Sequence, residues 1–152
     1  MRIEAVDAAN EEAQSLVASY VAEIAATFPG GFDPAASVSA EPDEMSPPHG
    51  AFLVVRNDDG TAIGCGGVKL LDAQTAEIKR MWLAPSARGR GLGRVLLEAL
   101  ENAARELGAT EGRLDTNASL ESALALYERS GWQPVSPYND NSYATHWFRK
   151  TL

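Results

Sequence analysis

Seven consecutive residues, Arg88-Gly89-Arg90-Gly91-Leu92-Gly93-Arg94, hold the clearest chemical signal in this sequence. Glycines leave backbone N–H groups unobstructed, and the arginines add full positive charges. A strongly periodic helix starts at Leu92, so its N-terminal dipole points into the same turn. Together these features suit a pyrophosphate. Glycines alone would mark only a flexible turn. The nucleotide-hydrolase loop needs Gly-Lys-Ser/Thr, which is absent. The dinucleotide fingerprint needs G-x-G-x-x-G, whereas this chain has G-x-G-x-G. A nicotinamide or flavin nucleotide is therefore the weaker reading of the turn.

Charge is placed accordingly. The chain has net charge −8, yet residues 78–97 contain Lys79, Arg80, Arg88, Arg90 and Arg94 and no acid. Residues 1–60 contain eleven acids against Arg2 and Arg56. An acidic protein that gathers its bases in one short stretch points to an anion site there, with the acidic region suited to a cationic partner. The same balance argues against nucleic acid as a ligand.

The turn needs elements to hold it. Residues 2–7 alternate as a first strand, and Leu16, Val17, Tyr20, Val21 and Ile24 fall at helical spacing over residues 11–27. Pro29-Gly30-Gly31 stops that helix, and residues 30–50 form a loop with one helical turn after Asp33-Pro34. Residues 51–56, 61–70 and 75–83 are strands of an antiparallel meander, with Asn57-Asp58-Asp59-Gly60 as a hairpin turn. Leu92, Val95, Leu96, Ala99, Leu100, Ala103 and Leu107 define a long helix closed by Gly108. A strand at 113–116, a helix at 120–129 capped by Ser119, and strands at 132–135 and 144–149 complete the order. The result is one α/β (α+β) domain, residues 1–152, on a mixed sheet. No apolar run approaches the ~18 residues of a membrane span. The acids near Met1 do not fit a signal peptide. One cysteine, Cys65, excludes an internal disulfide and a multi-cysteine metal site. These features predict a soluble, cytoplasmic protein acting at no membrane.

With the turn in this setting, the chain resembles the GCN5-related N-acetyltransferase (GNAT) family. The family signature Q/R-x-x-G-x-G/A is met by Arg88, Gly91 and Gly93. The likeness extends upstream through 76–85 and downstream through Ala123 to Trp132, covering residues 51–135. The resemblance implies a mixed central sheet of about 6–7 strands flanked by about 4 helices. It implies acetyl-CoA as cosubstrate, no metal, and direct transfer of acetyl to a primary amine of a small molecule or peptide. Met81, Trp82 and Leu83 would run beside the pantetheine. Arg88, Gly89, Arg90, Gly91, Leu92, Gly93 and Arg94 would hold the pyrophosphate. A backbone N–H near Leu83 would face the thioester oxygen.

Tyr127 aligns with the tyrosine that protonates the departing thiolate, and Glu77 with the strand glutamate that deprotonates the amine in the histone-acetylating branch. Glu77 also stands two residues from Lys79 on one strand face, where an ion pair would form. The sequence departs from the family at Leu120, where many members have a CoA-contacting asparagine; Asn117 is the substitute. Lone Cys65 reads as a strand residue and not a nucleophile. The acceptor would enter between residues 28–49 and the 136–143 loop, with Phe28, Phe32, His49, Tyr138, Asn139, Tyr143 and His146 as candidates. The base is left open among Glu77, a histidine and water. A homodimer through the final strands is a further expectation. The alternative to an enzyme is a non-catalytic acyl-CoA-binding sensor or interaction module.

Overall fold

The computed structural model describes residues 1–33 and 40–152. Strand β1 (Arg2–Ala5) leads into helix α1 (Glu11–Thr27). Strands β2 (Gly50–Arg56), β3 (Ala62–Leu70) and β4 (Thr75–Leu83) form the meander. Helix α2 (Leu92–Glu106), strand β5 (Glu111–Thr116), helix α3 (Glu121–Arg129) and strands β6 (Gln133–Val135) and β7 (His146–Thr151) follow. Short 3-10 helices occupy Pro42–Met45, within the stretch read as loop, and Pro85–Ala87. The helical turn expected after Asp33-Pro34 lies outside the described residues. The seven strands form one mixed sheet in the order β1-β2-β3-β4-β5-β7-β6. Among the described residues, only β4 and β5 pair in parallel.

Local chemistry accounts for the helix ends. Asn10 Oδ1 accepts from the Ala13 N–H at 2.7 Å, and Glu11 and Glu12 face the positive end of α1. Helix α3 lacks the serine cap that its sequence predicts. The Ser119 hydroxyl instead donates to Asn117 Oδ1 at 2.7 Å, and the same oxygen accepts the Ser119 N–H at 2.9 Å. A tight asparagine turn thus competes successfully for the serine. Leu120 occupies the cap position with no side-chain bond.

Both sheet faces are covered. On β2, Leu53 and Val55 pack with Leu96, Leu97 and Leu100 of α2, while Phe52 and Val54 pack with Ala13 and Leu16 of α1. This alternation follows from the two-residue period of a strand. Leu100 is fully buried in the α2-side core.

The sheet parts at its centre. β4 pairs with β5 only at Thr75↔Glu111, Ala76↔Gly112 and Glu77↔Arg113. Beyond Glu77, β4 stays with β3, while β5 continues with β7 through Thr116↔His146. Along β3–β4, Cys65 faces Trp82 but Gly67 faces Lys79, so β4 carries one extra residue there. Arg80 lies in this bulge with φ +57°, the one non-glycine among the described residues with positive φ.

Leu100→Ala is expected to cost about 2–5 kcal/mol, because a buried leucine leaves a cavity that packed neighbours fill poorly. Urea unfolding of the variant against the wild type measures it.

Candidate active site

Where β4 and β5 part, a cleft opens. It is lined by Ile78–Met81 of β4, Asp115 and Thr116 of β5, Tyr127 of α3, Tyr20 and Phe28 at α1, and Tyr143 of the β6–β7 loop. Backbone groups on the open side of β4 have no ladder partner. The Ala84 N–H donates to Ile63 O at 2.8 Å, so by strand alternation the Leu83 N–H points away from β3, toward the opening. Met81 and Leu83 pack on the α2-side core and Trp82 on the opposite face, so a ligand along this edge meets backbone before side chains.

The glycine turn follows β4 through the Pro85–Ala87 turn and leads into α2; its residues are not among those lining the cleft. Gly89 and Gly91 have φ +77° and +75°, a conformation costly for a residue with a Cβ. Gly91 is the N-cap of α2, and no side chain bonds the first turn's N–H groups. Gly93 serves packing: a Cβ there would stand 3.3 Å from Leu126 Cδ2, where α2 meets α3.

The basic residues do not converge on the turn. Arg88 donates to Glu23 of α1 at 2.6 and 2.8 Å and to the Leu83 carbonyl at 2.8 Å. Arg94 pairs with Glu98 at 3.2 Å, and Lys79 with Glu77 at 3.1 Å. Arg90 is exposed, with no carboxylate within ion-pair distance among the described residues. Arg80 leaves the group altogether and stands over the Tyr20 ring at 5.9 Å.

Tyr127 is buried inside the cleft, its hydroxyl 3.9 Å from Met81 Sδ. Burial holds its proton on well above the ordinary tyrosine range, and the charges of Tyr20 and Asp115 push the same way. The hydroxyl keeps its proton at neutral pH. Leu120 and Asn117 both line the cleft. The Asn117 amide is already engaged, donating to Tyr143 O at 2.7 Å.

Glu77 is buried and does not line the cleft. Its Oε2 accepts from the Tyr138 hydroxyl at 2.5 Å, and its Oε1 meets Lys79. Tyr138 loses its proton only far above the usual range, through burial first and then the adjacent Glu77 charge. Asn139 spans two carboxylates, donating to Asp115 Oδ2 at 2.7 Å and reaching Glu77 Oε2 at 3.5 Å. Asn141 donates to Asp115 Oδ1 at 3.0 Å, and the Trp147 indole N–H donates to Asn139 Oδ1 at 3.0 Å. The carboxylate that reaches the cleft is thus Asp115, which the sequence reading missed. Its only signal was its place at the end of β5. Phe28, Phe32 and Tyr143 form an aromatic cluster with centroids 4.7–5.9 Å apart. His49 and His146 are not among the residues lining the cleft. Cys65 is buried and its thiol is pushed up to about 12 by desolvation, which leaves no nucleophilic thiolate at neutral pH.

A family model described as the acetyltransferase (GNAT) family matches residues 18–132. An IAA acetyltransferase of Azospirillum brasilense is 36% identical over 95 residues, which cover 62% of this chain and 61% of that protein. The chain thus spans about three fifths of the length of the curated relatives it matches first. A solved Klebsiella pneumoniae protein described as an acyl-CoA N-acyltransferase superposes with TM-score 0.81 at 28% identity, covering 99% of this chain and 97% of that one. A Salmonella typhimurium acetyltransferase solved with acetyl-CoA shares the fold at TM-score 0.71 and 17% identity, covering 100% and 94% of the two chains.

Two outcomes follow from the burial of these groups. A thiol reagent at pH 8 should leave Cys65 unmodified in the folded protein and react fully in urea; rapid labelling of the folded protein would contradict its placement. Tyr127 holds its proton more tightly folded than unfolded, so its contribution to stability is complete below the ordinary tyrosine value of 10.0. That contribution is lost as pH rises toward the folded value. Urea midpoints should therefore fall above pH 10 in the wild type by more than in Tyr127→Phe.

Proposed function

Because the chain belongs to the acetyltransferase (GNAT) family, we propose that it moves an acetyl group from acetyl-CoA directly to a primary amine bound in the cleft between β4 and β5. The observation that carries this reading is the parting of the two strands with a buried, protonated Tyr127 inside the gap, followed in the chain by the uncapped α2 turn. Backbone N–H groups at Gly91–Arg94 would take the pyrophosphate, aided by the exposed Arg90. Arg88 would join only by giving up Glu23, so its anion contact competes with an existing ion pair. The open edge of β4 would take the pantetheine amides, and the Leu83 N–H would stabilise the developing oxyanion.

The amine loses a proton, its nitrogen attacks the thioester carbon, and the C–S bond breaks. The departing thiolate takes its proton from the Tyr127 hydroxyl. Deprotonation of the amine is assigned to Asp115 or to water beside it, because Asp115 faces the cleft whereas Glu77 is covered by Tyr138. Glu77 would then anchor the β6–β7 loop through Tyr138 and Asn139. A second reading, a sensor that binds acyl-CoA without transfer, would need no proton donor in the gap.

Two measurements test the proposal. Saturating acetyl-CoA, at about 100 times its Kd, should raise the unfolding midpoint by roughly 5–10 °C, with no rise for NAD or FAD. Gly91→Val, which forces a β-branched residue into a left-handed backbone, should abolish that rise. Tyr127→Phe should lower kcat by about 100-fold or more while acetyl-CoA affinity changes little. Unchanged turnover would remove Tyr127 from the mechanism.

A further inference from the structure

Three charged residues line the cleft: Lys79, which pairs with Glu77 at 3.1 Å, and Arg80 and Asp115, neither of which has an ionic partner within ion-pair distance among the described residues. Arg80 sits at φ +57°, strained for any residue with a side chain. Its Nε is buried and meets no acceptor, and no carboxylate lies within ion-pair distance of it among the described residues. Asp115 is held on both oxygens by the neutral amides of Asn139 and Asn141, with no cation within ion-pair distance among the described residues. Its negative charge is felt across the cleft, since it helps raise both Tyr20 and Tyr127. Arg80 and Asp115 do not pair with each other, although both line the same cleft. A third wall is apolar, built by Phe28, Phe32 and Tyr143.

We propose that the acceptor is a free α-amino acid with an apolar or aromatic side chain, its carboxylate bound by Arg80, its ammonium by Asp115 and its side chain by the Phe28–Phe32–Tyr143 wall. This deepens, and rests on, the acetyl-transfer reading of the same cleft. A plain alkylamine would satisfy Asp115 and leave the half-buried Arg80 guanidinium over Tyr20, its buried Nε still without an acceptor. A peptide N-terminus offers the amine but no adjacent carboxylate. Arg80 is the specificity-determining group, because a buried donor left unpaired penalises the ligand that lacks its partner. The chemistry balances: one ammonium proton passes to Asp115, the nitrogen bonds to the acetyl carbon, sulfur leaves with the Tyr127 proton, and the second proton lost by the nitrogen returns through water to the Tyr127 oxygen. The product amide carries no positive charge, so its attraction to Asp115 ends with the reaction and favours release.

The test measures CoA thiol release with L-phenylalanine, L-leucine, phenethylamine, isoamylamine and L-phenylalaninamide, in wild type, Arg80→Gln and Arg80→Lys. Wild type should prefer L-phenylalanine to phenethylamine by about 30-fold or more in kcat/KM, the size of a charge-assisted hydrogen-bonded contact. That ratio should fall to within about threefold of unity in Arg80→Gln and be partly kept in Arg80→Lys, which retains the charge but not the fork. Calorimetric titration of L-phenylalanine into the CoA-saturated protein supplies a readout apart from turnover; binding should be present in wild type and lost in Arg80→Gln. The acetyl-CoA midpoint rise in each variant shows that it is folded. Equal or better use of phenethylamine or phenylalaninamide by wild type, or no binding of L-phenylalanine, overturns the acceptor proposal while acetyl transfer stands. Absence of the acetyl-CoA midpoint rise in wild type overturns the acetyl-transfer reading, and this proposal with it.

Discussion

The structure depends on one departure from regular pairing: β4 and β5 share three registered pairs and then separate. A buried strand normally has both backbone edges bonded, and an unpaired edge inside a protein is costly unless something else satisfies it. Here each strand keeps one partner, β3 for β4 and β7 for β5, so the sheet survives the split. The extra β4 residue at Arg80 lets β4 turn away without losing β3. The open edge is then a row of oriented donors and acceptors. One is already used from within, the Leu83 carbonyl by Arg88. The others are available to an extended, amide-bearing ligand, much as an edge strand accepts another strand.

The inner end of the gap must be closed differently, because water entering there would solvate the last ladder pairs. A polar cluster closes it. Tyr138, Asn139 and Asn141 reach from the β6–β7 loop to Glu77 on β4 and Asp115 on β5, one carboxylate from each parting strand. Carboxylates taken from water need donors, and here Glu77 Oε2 and both Asp115 oxygens accept from neutral groups while the buried Glu77 Oε1 faces the Lys79 ammonium. The Arg113 guanidinium lies over the Tyr138 ring at 5.4 Å and holds the loop from outside. Asn117 ties the same loop through Tyr143 O, and Tyr143 carries the aromatic wall against Phe28 and Phe32. The shape of the acceptor side therefore depends on the same two acids that keep the strands bridged at their point of separation.

Features set by neighbouring residues could be read from sequence; features set by offsets between strands could not. The α2 helix, the glycine turn and the meander are local, and the order of elements follows the expected one. The Glu77–Lys79 pair is also local, two residues apart on one face, and is present at 3.1 Å. Arg80 shows the other case. Counted by position it belongs with the bases before the glycine turn. One inserted residue changes which face a strand side chain occupies, and the bulge sends it over Tyr20 instead. Arg88 met Glu23 through a contact spanning 65 positions, which no local pattern encodes. Asp115 was hidden for the same reason: a single acid at the end of a short strand gains meaning only when Asn139 and Asn141 arrive from a distant loop.

This difference also bears on how a common scaffold acquires its own acceptor. The parts proposed for the shared donor, the glycine turn and the start of α2, are contiguous, and α2 is anchored by its fully buried leucines. The parts that line the cleft proposed for the acceptor come from α1, the β4 bulge, the end of β5 and the β6–β7 loop, four segments distant in sequence. Their side chains can change without disturbing the ladder that opens the cleft, since the ladder and the bulge are built from backbone. Substitution at Arg80 or Asp115 alters the charge presented to an incoming amine while β3–β4 and β5–β7 pairing continues to hold the strands apart. Recognition and scaffold are thus separable because the gap is built from main chain and lined by side chains.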